Sequence, residues 1–186
     1  MLYRRANVPG GTYFFTVNLL DRCSDLLLRH VEMLREVVVE VKNRHPFLII
    51  AMVVLPEHLH AVWRLPPEDA DYPTRWALIK AGFSRRLRKD EIVGASRTLK
   101  RERGIWQRRY WEHLIRDEND LARHVDYVHY NPVEHGWASR PVDWPYSTLH
   151  RYVRQGVLPP DWAVETVSRQ DGAMNEQEAG RGFALN

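Results

Sequence analysis

Cysteine is almost absent: Cys23 is the only one among 186 residues. No disulfide can close within the chain, and no zinc knuckle can be built from thiolates. That scarcity suits a reducing cytoplasm, and Cys23 reads as a buried bystander. Long apolar runs are missing as well. The longest, Phe47 to Leu55, holds nine residues, whereas a membrane helix needs about 20. Basic residues stand near the start, but no apolar stretch follows them, so no secretory signal is expected. A large charge of one sign is also lacking: 27 Lys and Arg face 24 Asp and Glu, for a net +3. Repeats and low-complexity tracts are not seen. With 44% hydrophobic residues, the chain can build one compact core over 1–162, with a polar and flexible tail over 163–186.

What is present has a clear order. Tyr13 to Leu20 is aromatic and β-branched behind Gly10-Gly11, which predicts a strand. Leu26 to Arg44 carries apolar residues at helical spacing and stops at His45-Pro46. Phe47 to Leu55 reads as a strand buried on both sides, and Pro56-Glu57 turns the chain. His58 to Leu65 alternates, with Leu59, Ala61 and Trp63 on one face and His58, His60 and Val62 on the other. A helix over 74–89 uses Trp76, Ile79, Phe83 and Leu87. A polar, mobile loop spans 90–104, and a short strand lies near Glu112 to Ile115. A helix from Asn119 to Tyr130 is expected to end at Asn131-Pro132, and a last helix to open at Pro145. The order β-α-β-β-α-β is the split β-α-β, ferredoxin-like plan: an α+β domain with an antiparallel sheet and additional C-terminal helices. Many activities share that plan, so the chemistry must come from particular residues.

Two stretches stand out. In His58-Leu59-His60 the i, i+2 spacing puts both imidazoles on one strand face, about 7 Å apart along the strand. They can grip one metal ion, or simply be two polar residues on a half-exposed strand. In His124 to Pro132, Tyr127 and Asn131 are four apart and share a helix face. A phenol and an amide there can supply a nucleophile and a further ligand, or a surface tyrosine and a helix cap. Tyr130 is the rival nucleophile. His124 and His129 read as helix surface or as proton shuttles, and His113 as a group behind the site.

Charge is uneven along the chain. Between Lys80 and Arg109 there are eleven Lys or Arg against three acids, an excess of +8, so the remainder carries −5. The stripe includes Arg85, Arg86, Arg88, Lys89, Arg108 and Arg109, and it favours salt-dependent contact with nucleic-acid phosphates over a merely solvated face. Tyr3, Arg4 and Arg5 can stack on or fork to unpaired bases, and Trp106, Tyr110 and Trp111 are further stacking candidates or core residues.

Taken in series, these stretches resemble a known family. The matching residues are Tyr3-Arg4-Arg5 with Pro9-Gly10-Gly11, Phe14-Phe15-Thr16-Val17-Asn18, Val53 to His60, Ile105-Trp106-Gln107, Trp111-Glu112-His113, His124 to Tyr127, Asn131 to Gly136, and Asp143 to Thr148. Their order is similar to that of the REP-associated tyrosine transposases, a branch of the IS200-like single-strand nucleases with a His-hydrophobe-His motif. The resemblance implies that His58 and His60 hold Mg²⁺ or Mn²⁺ and that Tyr127 becomes linked to a 5′-phosphate. IS200-like relatives place a Gln four residues after the tyrosine as a metal ligand, where this chain has the shorter Asn131. The implied substrate is single-stranded DNA with a palindromic hairpin, met in this branch by a monomer. Two rivals remain: a non-catalytic hairpin DNA- or RNA-binding module on the same fold, and a metal-dependent hydrolase that uses water.

Overall fold

The structure is a computed structural model and describes residues 7–88 and 103–163. Its elements in order are β1 (Thr12–Asn18), α1 (Leu26–Arg29), α2 (Val31–Arg44), β2 (Leu48–Val54), β3 (His58–Arg64), α3 (Tyr72–Arg86), β4 (Trp111–Leu114), α4 (Glu118–Glu134) and α5 (Leu149–Arg154), with a 3-10 turn at Pro141–Asp143 before α5. The four strands form one antiparallel sheet in the order β2-β3-β1-β4. This is the expected α+β plan, with β1 and β3 in the centre.

Strand alternation divides the sheet into two unlike faces. Tyr13, Phe15 and Val17 of β1 and Leu59, Ala61 and Trp63 of β3 join Leu34, Val37 and Val41 of α2 and Trp76, Ile79 and Phe83 of α3 in the larger core. Trp63 stacks on Trp76 with centroids 4.1 Å apart. Asp71 caps α3 by accepting from the Thr74 amide at 3.0 Å. Arg75 is buried, pairs with Asp69 at 2.6 Å and donates to the carbonyls of His45 and Pro46, which ties the turn before β2 to α3. The opposite face places Phe14, Ala51, Val53 and Val62 beneath Val128 of α4 and Trp144. His58 and His60 belong to this second face.

Several expectations need correction. The first helix is two, broken at His30 between Arg29 and Val31. β2 is an edge strand whose outer end is open, with Leu48 52% exposed. Its rim is covered by 146–148, where the Val54 amide donates to Tyr146 and the Thr148 amide to Met52. Those backbone groups are committed to β2, so α5 starts at Leu149 and Pro145 lies outside it. α4 does not stop at Asn131-Pro132 but continues through it. Packing of Val128, Asn131 and Pro132 under the sheet outweighs the local preference before proline. The helix closes one turn later at Gly136, whose φ of +72° is a left-handed value that suits glycine. Cys23 is exposed, not buried. The expected mobile loop at 90–104 falls largely outside the described residues, and the tail at 163–186 does so after Ala163.

Candidate active site

Register brings the histidine pair into place. β1 pairs Thr16 with His60 and Asn18 with His58, and β2 pairs Val53 with His60. Both imidazoles are buried, at 1% and 2% exposure, and their rings lie 4.8 Å apart. Each has its Nδ1 engaged by the protein. His58 Nδ1 meets Glu57 Oε1 at 2.9 Å, and His60 Nδ1 meets Thr16 Oγ1 at 2.9 Å. A carboxylate beside Nδ1 favours the Nδ1–H tautomer of His58, which leaves Nε2 with a free lone pair. Thr16 allows the same tautomer of His60. The two Nε2 atoms are buried and have no hydrogen-bond partner among the described residues. Leaving such atoms buried and idle is costly, and a cation between them removes that cost.

Charge around the pair is arranged in the same sense. Burial alone raises the Glu57 carboxyl, but the hydrogen bond from His58, with Arg22 3.6 Å away, brings it below the usual range. Burial first, and then the electrostatic influence of the neighbouring His58, His135 and Arg22, push His60 well below the ordinary histidine value. His60 is therefore a neutral imidazole, the form that binds metals.

α4 lies over the pair. Tyr127 sets its ring 5.1 Å from that of His60 and 5.8 Å from Phe14. At the helix end His135 sets its ring 5.2 Å from that of His58. Tyr127, Asn131 and His135 follow each other at i, i+4 and i+8, one stripe of a helix. Asn131, between the two ring contacts, is fully buried, and its Oδ1 has no hydrogen-bond partner among the described residues. The residues present thus fit a cation: two free imidazole nitrogens and an amide oxygen. Asn131 gains in standing from its burial, while Tyr130 makes no ring contact with either histidine among the described residues.

No family model matches the chain. Two curated relatives do. An Escherichia coli (strain K12) REP-associated tyrosine transposase is 47% identical over 170 residues, covering 91% of this chain and 95% of the relative. A Haemophilus influenzae protein given the same family name is 44% identical over 161 residues, covering 86% of this chain and 92% of the relative. The chain belongs to the REP-associated tyrosine transposases. It is an enzyme of the tyrosine-transposase class. A solved REP-associated tyrosine transposase bound to a REP hairpin superposes with a TM-score of 0.77 at 44% identity, covering 92% of this chain and 96% of that one.

Within this transposase, the other candidate residues fare differently. Arg85, Arg88, Arg108 and Arg109 are exposed. Arg86 is bound to Glu36 and Glu40 of α2, at 3.2 and 2.5 Å. Arg103 donates to the carbonyls of Ser84, Leu87 and Arg88, and Lys80 to that of Gln107. Part of the basic stripe is therefore spent on holding the fold. Tyr3, Arg4, Arg5 and Lys89 lie outside the described residues. Trp106 and Tyr110 are core residues, and Trp111 is half-buried. The exposed indole is Trp137, which follows His135-Gly136 and is 52% exposed. His124 and His129 are buried, not helix surface. His135 was missed from sequence because the helix was expected to end before it. Its spacing of eight from Tyr127 was the available signal. No described helix is long and apolar enough to cross a membrane.

Proposed function

We propose that this transposase cleaves and rejoins single-stranded DNA beside a palindromic hairpin, with Tyr127 as nucleophile. The observation that carries the reading is the pair of buried Nε2 atoms on His58 and His60, without partners among the described residues, with the Tyr127 ring packed edge-on against the His60 ring. The Tyr127 phenolic oxygen attacks the phosphorus, the P–O3′ bond breaks, and the 3′-oxygen takes a proton from solvent and leaves as a free 3′-hydroxyl. The phenol proton passes to solvent as the tyrosyl ester forms. The 5′-phosphotyrosine ester keeps the bond energy for rejoining. A free phenol with pKa near 10 is a weak nucleophile at neutral pH, so positioning by α4 must contribute much of the rate. His58, His60 and Asn131 would hold Mg²⁺ or Mn²⁺, which supplies Lewis acidity toward the phosphate. Imidazole donors suit Mn²⁺ better than Mg²⁺.

Hairpin DNA as substrate is supported by the relative solved with a REP hairpin and by the exposed arginines on both sides of the 89–102 segment. A monomer suffices, because the histidines and Tyr127 meet within one chain. The test is end-labelled single-stranded hairpin DNA incubated with Mg²⁺ or Mn²⁺ and run on a denaturing gel. Wild type and Tyr130→Phe should give a protein-linked label, while Tyr127→Phe and His58→Ala should give none. Loss in Tyr130→Phe alone would transfer the role to Tyr130. Cleavage that survives both tyrosine changes would make water the nucleophile. Hairpin binding without any cleavage would leave a DNA-binding module.

A further inference from the structure

A second group of metal-type donors lies on the β4–α4 junction, across Phe14 from His60. Phe14 sets its ring 5.5 Å from His60 on one side and 4.8 Å from His124 on the other. His113 of β4 and Asp120 and His124 of α4 place one donor atom each within 4.8 Å of one another. The closest approaches are His113 Nε2 to Asp120 Oδ2 at 2.8 Å and His124 Nδ1 to Asp120 Oδ1 at 3.2 Å. We propose that His113, Asp120 and His124 form a separate binding site for a zinc-class divalent cation, which clamps β4 to the helix that carries Tyr127.

Chemistry, geometry and support agree. Two imidazoles and one carboxylate are a nitrogen-rich set that suits Zn²⁺ or Co²⁺ and disfavours Mg²⁺. A tetrahedral ion with bonds of about 2.1 Å keeps its donors roughly 3.4 Å apart, so the 2.8 Å contact opens by about 0.6 Å, the 3.2 Å contact by about 0.2 Å, and a donor pair at the 4.8 Å limit closes by about 1.4 Å. The carboxylate is already oriented: the Arg116 amide donates to Oδ2 at 3.0 Å and the Arg123 guanidinium to Oδ1 at 3.3 Å. Asp117 fixes the Asp120 amide at 2.8 Å. The rings are fixed as well, since His113 stacks on His124 at 4.7 Å and on Trp111 at 5.7 Å. Access is from the His113 side, which is 21% exposed, against 6% and 5% for Asp120 and His124. Three protein donors leave a fourth position for water. Without the ion, hydrogen bonds hold the same groups together, His124 Nδ1 donating to the Asp120 carbonyl at 2.8 Å. The ion takes the place of the protons in those bonds, each neutral imidazole then carrying its N–H on the other ring nitrogen.

The proposal does not depend on the chemistry at His58. Metal-free protein carrying His58→Ala and His60→Ala is titrated with Zn²⁺ by calorimetry and with Co²⁺ by visible absorption. One equivalent should bind at micromolar or tighter affinity with a tetrahedral cobalt spectrum, shift the imidazole resonances of His113 and His124, and raise the thermal midpoint. Adding His113→Ala, or His124→Gln where folding must be preserved, should weaken binding at least tenfold. No binding by the double variant, or binding that the His113 and His124 changes leave intact, overturns the site and makes the group a hydrogen-bonded brace only.

Discussion

The two faces of the sheet use the same strands for opposite ends. On β3, Leu59, Ala61 and Trp63 are all at 0% exposure among aromatic and aliphatic neighbours. The alternate residues His58 and His60 are equally buried, and their Nε2 atoms, unpartnered among the described residues, can carry a lone pair for a ligand, whereas the likewise unpartnered Trp63 Nε1 is a donor only. One face spends its burial on cohesion. The other accepts the cost of desolvated imidazoles to hold a site. Stability and activity should therefore separate by strand parity. Trp63→Ala should cost about 3–5 kcal/mol, the range for truncating a large buried aromatic, read as a lowered denaturation midpoint. His58→Ala, one position off Leu59 in the same strand, should abolish the protein-linked DNA product while costing less than half as much stability. Equal stability losses for the two would end the distinction between the faces.

A second imidazole on the α4 side sharpens the contrast through pH. His129 is fully buried, with Nε2 3.0 Å from Thr148 Oγ1 and the rings of Tyr152 and Trp162 around it. Burial first, and then the charge of Arg151, bring it from 6.5 to about 4. Its folded value is depressed, so the neutral form belongs to the folded state. Its stabilising effect is full above the unfolded value and is lost as pH falls from about 6.5 toward 4. That amounts to about 3 kcal/mol. Urea denaturation across this window should show the loss, and His129→Gln should flatten it. An unchanged slope in the variant would move the acid sensitivity elsewhere.

How much of this was readable from the chain follows the same division. The alternation of β3, the strand order and the pairing of His58 with His60 were legible because a period of two has only two outcomes. Tyr127 was legible as a candidate through its motif and spacing. The continuation of α4 was not, since Asn131-Pro132 is a local stop signal and its burial under the sheet is a tertiary fact. His135 was lost with it. The burial of His124 and His129 was hidden for a related reason: α4 is covered both by the sheet and by 144–162, so its polar residues do not mark an exposed side. The neutralisation of Arg86 by Glu36 and Glu40 was also illegible, because partners on α2 are far away in sequence.

The smallest expected effect concerns the end of α4, where the polar face meets solvent. Gly136 sits at φ +72°, and an added Cβ would meet nothing within 4 Å. Gly136→Ala should then cost only about 1 kcal/mol, all of it from left-handed backbone and none from a clash. Because this glycine lets the chain turn directly after His135, a backbone that relaxes away from positive φ would also shift His135 from the His58 ring. The measurement is paired: the denaturation midpoint and the His58 imidazole resonance. A small stability loss with an unmoved resonance would show that packing, not the turn, fixes His135. A displaced resonance with reduced DNA cleavage would show that the helix end is part of the machinery of the polar face.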